Sequence, residues 1–114
     1  MSTITTHILD ISKGRPASGV PVTLEYFADG KTWRELGRAI ADADGRVKDL
    51  VSTDAKLAEG VYRLTFNTAL YFAAQKKQGF YPEVMITFVI DDATQHYHVP
   101  LLLSPFGFST YRGS

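Results

Sequence analysis

The sequence predicts a mainly β protein, a sandwich or a barrel with one short helix, and three observations lead there. Val, Ile, Thr, Phe, Tyr and Trp, the types that suit a pleated and half-buried surface, make up about a third of the 114 residues. Turn signals recur at short intervals: Lys13-Gly14-Arg15-Pro16, Asp29-Gly30, Asp42-Ala43-Asp44-Gly45, Glu59-Gly60, Gly79 to Pro82, Asp91-Asp92 and Ser104-Pro105. The runs between them alternate apolar with polar residues, the period of a strand that lays one face on a core.

The elements follow in order. In Thr3 to Asp10, Ile4 and Ile8 mark the core face, which leaves Thr5 and His7 on the opposite one. Val20, Val22, Leu24 and Tyr26 share one face of a run ending at Asp29-Gly30, a two-residue hairpin signal that leads into Thr32 to Ala41. Tyr62, Leu64 and Phe66 form another one-sided strand. Ala69 to Gln78 breaks the rhythm: it is rich in helix formers, has Asn67 or Thr68 available as N-cap, and carries Lys76 and Lys77 before Gly79, so it predicts a helix over about 68–78. In residues 83–90, Val84, Ile86, Phe88 and Ile90 take one face and Met85, Thr87 and Val89 the other, which predicts a strand covered on both sides. The last strand run places Tyr97, Val99, Leu101 and Leu103 on the apolar face and turns His96, His98 and Pro100 the other way.

Length and charge bound the function. A chain of 114 residues has the size of one domain with one core, here taken as residues 1–114. With no cysteine there are no disulfides, thiolate metal sites or cysteine nucleophiles, which suits a reducing compartment. Twelve basic and twelve acidic residues cancel, leaving no broad electrostatic footprint for nucleic acid or an anionic membrane. The start lacks a basic, apolar leader and no run approaches the ~20 apolar residues of a membrane span, so a cytoplasmic protein is expected.

Chemistry has few carriers. His-x-His at 96 and 98 puts two rings on one strand face, and His7 would be a third metal ligand if the strands were neighbours, but that spacing is common and no metal is expected. Asp42, Asp44 and Gly45 resemble a calcium loop only until the frame is aligned, when Ile40 and Val51 fall at ligand positions. Gly107 to Tyr111 lacks the second glycine of a hydrolase elbow, and no glycine-rich phosphate loop occurs. What remains is a pair of histidines able to exchange protons near neutral pH and an arginine, Arg46 or Arg112, able to steady a developing oxyanion.

Three segments taken together resemble a known family. Thr6-His7-Ile8-Leu9-Asp10 with Gly14-Arg15-Pro16-Ala17, then Asp44-Gly45-Arg46, then His96-Tyr97-His98-Val99-Pro100-Leu101-Leu102-Leu103-Ser104-Pro105 with the closing Tyr111-Arg112-Gly113-Ser114, are similar to the 5-hydroxyisourate hydrolases, transthyretin-related enzymes of urate breakdown. Phe106 and Phe108 stand where that family often shows tyrosine, a change that touches no catalytic group. The resemblance implies a transthyretin-like β-sandwich of two four-stranded sheets with one short helix, and a homotetramer, a dimer of dimers, with sites between the dimers. It implies hydrolysis of 5-hydroxyisourate to 2-oxo-4-hydroxy-4-carboxy-5-ureidoimidazoline without a cofactor. By the same resemblance His7, Arg46, His98 and Ser114 are catalytic, and Tyr111, Arg112 and Gly113 bind substrate. His96 belongs to the motif without an assigned role and is read as a packing residue behind the site.

Two other readings compete. Transthyretin proper shares the fold and carries hormones in its channel without chemistry, but His7, His98, Arg46 and the Tyr-Arg-Gly-Ser tail make a polar lining that is costly against an apolar ligand. A monomeric adhesion sandwich would leave the histidines as surface decoration, and sedimentation separates it from a tetramer.

Overall fold

Alternation in the sequence becomes alternation in burial. In strand β1 (Ile4–Asp10) every second side chain, Ile4, Thr6, Ile8 and Asp10, points into the protein, while Thr5, His7 and Leu9 are partly exposed. The computed structural model describes residues 4–52 and 56–113. Within them β1 is followed by β2 (Arg15–Pro16), β3 (Pro21–Ala28), β4 (Thr32–Ile40), β5 (Arg46–Val47), β6 (Gly60–Phe66), helix α1 (Thr68–Ala74), β7 (Val84–Ile90), β8 (Tyr97–Ser104) and β9 (Gly107–Thr110).

These strands make two sheets. One runs β4-β3-β6-β7, all antiparallel; the other runs β2-β1-β8-β9, with β5 also paired to β1. The second sheet therefore has five strands rather than four, because the two-residue strands β2 and β5 share the same edge of β1. Leu9 and Asp10 pair with Pro16 and Arg15, whereas Thr6 and His7 pair with Val47 and Arg46. Ile8 sits at the joint, donating its N–H to Gly45 O (2.7 Å) and accepting from Ala17 N (2.9 Å). Gly45 has φ +74°, and a Cβ there would stand 2.4 Å from Ile8 O, so the joint requires glycine. One pairing in this sheet is parallel: β1 runs alongside β8, from Ile4 opposite Tyr97 to Asp10 opposite Leu103.

The inner faces of the two sheets meet in one core, with Leu24, Tyr62, Leu64, Phe66 and Ile90 on one side and Ile4, Ile8, Leu101 and Leu103 on the other, all at most 1 % exposed. At the β3–β4 hairpin Asp29 (φ 55°) and Gly30 (φ 62°) both take the positive φ that a type I′ turn needs, and Lys31 N closes it on Ala28 O at 3.0 Å.

Two expectations are corrected. The helix covers Thr68–Ala74 rather than 68–78. Asn67 caps its start by accepting from Leu70 N, and it ends where Lys76 swings to φ 57° and donates to Ala73 O while Lys77 donates to Phe72 O. The two lysines thus lie beyond the last turn instead of in it. Strand β7 is covered on one face only within the chain: Val84, Ile86 and Ile90 are buried, but Met85 and Val89 are 48 % and 61 % exposed because they point away from the core, on the sheet's edge strand.

A buried carboxylate ties the end of β1 to the helix. Asp10 is fully buried and accepts hydrogen bonds from Ser12 N, Ser12 Oγ and Lys13 N at one oxygen and from Tyr71 Oη (2.7 Å) at the other. Burial by itself would raise its pKa, yet the bonds from Ser12, Tyr71 and Lys13 outweigh it and hold the carboxyl below the ordinary value. In turn, burial and the Asp10 bond push the Tyr71 hydroxyl up to about 12. A carboxylate with a lowered folded-state pKa contributes stability that is present above its unfolded pKa of ~3.9 and is lost as pH falls through the folded value. Urea unfolding of Asp10→Asn should show a loss of about 1–3 kcal/mol near pH 7, with the gap to the unmodified protein closing below about pH 4.

Candidate functional site

Cross-strand register brings the outward residues of three strands together. Residues directly opposite each other in a sheet share a face, and β1 puts His7 opposite Arg46 of β5 and Thr5 opposite His98 of β8. With strands ~4.8 Å apart, His7, Arg46 and His98 stand within the span of one small ligand. They occupy the face of the sheet that looks away from the core, with His7 and His98 half-buried and Arg46 exposed.

Each is held by its surroundings. The turn before β5 is organised by the Asp42 carboxylate, which accepts from Asp44 N (2.9 Å) and Arg46 N (3.0 Å). The Arg46 amide, against the cost of desolvation and with help from the Asp44 amide and the Lys48 and Arg46 charges, keeps the Asp42 carboxyl below its usual range. That turn also presents Asp44 O, to which His7 Nε2 donates at 2.9 Å. A carbonyl only accepts, so the His7 proton sits on Nε2 and, in the neutral ring, Nδ1 is the free acceptor.

His98 is fixed from two sides. Its Nδ1 lies 2.8 Å from Thr5 Oγ1, and the same hydroxyl oxygen lies 2.8 Å from His96 Nε2. Behind the ring, Gly113 donates its N–H to His98 O at 2.8 Å, and a Cβ at Gly113 would come within 2.7 Å of His98 Cδ2. Only a glycine lets the tail lie against this imidazole. Burial first, then the charges of Arg46, His7 and His96, lower the His98 pKa from its ordinary value, so the ring is neutral at neutral pH with Nε2 free of intramolecular ties at Thr5.

The tail divides between two faces. Gly113 meets His98, but Arg112 stacks its guanidinium 4.3 Å from the Tyr97 ring centroid and donates to Gln95 Oε1 at 2.8 Å. With Tyr111 it lines a hollow of about 340 Å³ between the edges of β7 and β9, shared with Ile86, Phe88 and Val99. Tyr97 and Val99 alternate with His98 along β8, so this hollow is on the other face of the strand. Ser114 lies outside the described residues. Among the described residues no group of three or more His, Cys, Asp or Glu side chains gathers to hold a metal ion.

Sequence reasoning brought His7, Arg46 and His98 forward but not their supports. Thr5 was visible only as a neighbour of His7 on an alternating strand, and its contact with two imidazoles depends on a register that no local pattern carries. Asp42 and Gly45 were legible as a turn, without the sign that the turn aims Arg46 and holds His7.

Comparison with known proteins adds a family to this geometry. The HIUase/Transthyretin family model matches residues 4–113. A probable 5-hydroxyisourate hydrolase of Caenorhabditis elegans is 50 % identical over 99 % of this chain and 82 % of its own length. The solved 5-hydroxyisourate hydrolase of Klebsiella pneumoniae is 39 % identical with a TM-score of 0.83, covering 97 % of this chain and 92 % of that one. Sea bream transthyretin, solved in complex with thyroxine, superposes with a TM-score of 0.91 at 28 % identity, covering 98 % of this chain and 95 % of that one.

The His98 environment has a direct spectroscopic consequence. In a histidine NMR titration, the His98 ring should protonate below the ~6.5 of an unperturbed imidazole, and Gly113→Ala should move its ring resonances by displacing it from Thr5. A His98 midpoint at or above that value would mean that Arg46 and burial do not act on it as described.

Proposed function

The chain belongs to the HIUase/Transthyretin family, and from that premise we infer that it is a hydrolase of urate breakdown that opens 5-hydroxyisourate to 2-oxo-4-hydroxy-4-carboxy-5-ureidoimidazoline. The observation that carries this is the convergence of His7, Arg46 and His98 on one outward face. The substrate is a flat, polar ring with a cyclic acyl–nitrogen bond. Opening it requires a water oxygen to bond to the acyl carbon, the carbon–nitrogen bond to break, and the water's proton to reach the departing nitrogen.

The residues suit those needs. The His7 and His98 pair activates and orients the water, with His98 Nε2, the nitrogen turned away from Thr5, taking the proton. Arg46 holds the ring's oxygens and stabilises the charge that develops on the acyl oxygen, where a fixed guanidinium is effective because it needs no reorganisation. No step calls for a cofactor.

The finer assignments belong to the same proposal. Gly113 binds substrate beside His98, whose ring it approaches; Tyr111 and Arg112 bind it as well, although within one chain they lie in the hollow on the other face of β8, and Ser114 supplies its hydroxyl or the terminal carboxylate as a hydrogen-bond partner. The single domain of residues 1–114 works in the cytoplasm as a homotetramer, a dimer of dimers with sites at the dimer–dimer interface. The exposed Met85 and Val89 of β7, the second of which lines the apolar hollow, support an association through the β7 and β9 edges, and an outward-facing site gains exclusion of water when a second dimer covers it. A ligand without polar groups would leave the imidazoles and Arg46 unpaired on binding, which disfavours a carrier of apolar molecules.

The test is a spectrophotometric trace of freshly generated 5-hydroxyisourate with the protein, with His98→Ala and with buffer. We expect rapid decay only with the unmodified protein, a loss of roughly 10² to 10⁴ in kcat for the variant, and an acid limb of kcat/KM with an apparent pKa under about 6.5. Equal decay in all three, with sedimentation verifying a tetramer, would sink the hydrolase reading in favour of a carrier.

A further inference from the structure

We propose that the Thr5 hydroxyl is a proton relay joining His98 to His96, through which the proton drawn from the attacking water at His98 is carried out to the exposed His96 ring. The inference rests on the hydrolase reading for its role in turnover, and on the geometry alone for the relay itself.

The geometry is a three-membered chain. Thr5 Oγ1 is 2.8 Å from His98 Nδ1 on one side and 2.8 Å from His96 Nε2 on the other. A hydroxyl carries one proton, so it donates to one ring at most and the other ring must donate to it. When His98 Nδ1–H donates to Thr5 and Thr5 O–H donates to His96 Nε2, His98 Nε2 has a bare lone pair for water. When the three protons shift one place, His96 Nε2–H donates to Thr5 and Thr5 to His98 Nδ1, and His98 Nε2 then carries a proton.

The electrostatics explain why the shift is useful. The groups facing His98 are Arg46 from β5, His7 and Thr5 from β1, Gly113 of the tail and His96 of its own strand run. Arg46 and burial both oppose a positive imidazole there. A base that kept the proton would be a half-buried cation next to a guanidinium. As the water oxygen bonds to the acyl carbon, its proton goes to His98 Nε2, the Nδ1 proton goes to Thr5 Oγ1, and the Thr5 proton goes to His96 Nε2. The charge then resides on an exposed ring in solvent. As the carbon–nitrogen bond breaks, His98 Nε2–H passes to the departing nitrogen while His96 returns its proton through Thr5 to His98 Nδ1. One proton has moved from water to the leaving nitrogen and the enzyme is restored. Thr5 touches no substrate and is a positioning residue acting through His98. In this proposal His96 is the terminal proton acceptor rather than a packing residue.

The decisive comparison is Thr5→Val, which keeps the shape and removes the hydroxyl, against Thr5→Ser, which keeps the hydroxyl. We expect Thr5→Val to lower kcat about 10-fold or more, short of the ~10² to 10⁴ expected for losing the base, with KM within about 2-fold. Thr5→Ser should restore most of the rate, and Thr5→Val combined with His96→Ala should be no slower than the slower single variant. Imidazole ¹⁵N spectra provide a readout independent of turnover: in the unmodified protein His98 Nδ1 should change from N–H to lone-pair character as His96 protonates, and in Thr5→Val only the smaller through-space effect of the His96 charge should remain. A Thr5→Val enzyme with unchanged kcat, or a His98 ring indifferent to His96 in the unmodified protein, overturns the relay. Coupled ¹⁵N titrations in a protein that leaves 5-hydroxyisourate untouched would instead uphold the relay and remove the hydrolase reading.

Discussion

The parallel pairing of β1 with β8 is the constraint on which the site depends. Parallel neighbours cannot be joined by a hairpin, and here most of the chain, from Asp10 to Tyr97, separates the two strands. Each is locked by its own inward stripe: Ile4, Thr6 and Ile8 on β1, and Tyr97, Val99, Leu101 and Leu103 on β8, all buried. A slip of one residue would turn those stripes outward, so the core that stabilises the sandwich also sets which residues face the other way and beside what. Thr5 against His98 and His7 against Arg46 are consequences of hydrophobic packing on the far side of the sheet. For the same reason the reactive groups cost the fold little, because they sit on a surface that the core does not use.

That division accounts for what was legible in the sequence. A period of two reports which face a residue takes, so His7, His98 and His96 were placed opposite the core from a single strand each. It does not report which strand lies alongside, so the contacts of Thr5 with His96 and His98, more than 90 positions away, were invisible. The helix end was missed for a local reason: a lysine rather than a glycine adopts the left-handed conformation at Lys76, and helix propensity over residues 75–78 pointed the other way. Met85 and Val89 read as interior because they are apolar, whereas apolarity on an edge strand is equally suited to a surface that another copy covers. The tail was read as one unit, Tyr-Arg-Gly-Ser, yet strand alternation splits it, sending Arg112 to Tyr97 on one face and Gly113 to His98 on the other.

Backbone similarity alone would misdirect the functional reading. The thyroxine-bound transthyretin superposes more closely (TM-score 0.91) than the Klebsiella hydrolase (0.83), while sequence identity ranks them the other way, 28 % against 39 %. A sandwich of this kind is a scaffold that hosts binding and catalysis alike, and what separates them is a handful of side chains on one sheet face. In this chain those side chains are two imidazoles and a guanidinium held by polar neighbours: the Asp44 carbonyl fixes the His7 proton on Nε2, and a threonine hydroxyl engages His98 Nδ1. Such placement is of no use to a carrier of apolar ligands and is what acid–base chemistry requires.

Arg46 gives the site an internal conflict whose resolution orders the remaining features. In the proposed reaction its charge favours the oxyanion that forms when water adds to the acyl carbon, and the same charge disfavours the imidazolium that forms when His98 accepts the water's proton. Moving Arg46 away would weaken the first effect as it relieved the second, since both are Coulomb interactions of the same charge that fall off with distance. Separating the two charges is the better solution, with the negative charge kept beside Arg46 and the positive one sent outward. A single hydroxyl at Thr5 suffices, because it spans the gap between a half-buried ring and an exposed one and exchanges one proton for another without becoming charged itself. The strand register that sets Thr5 opposite His98 thus provides the reactive ring and its outlet in one arrangement.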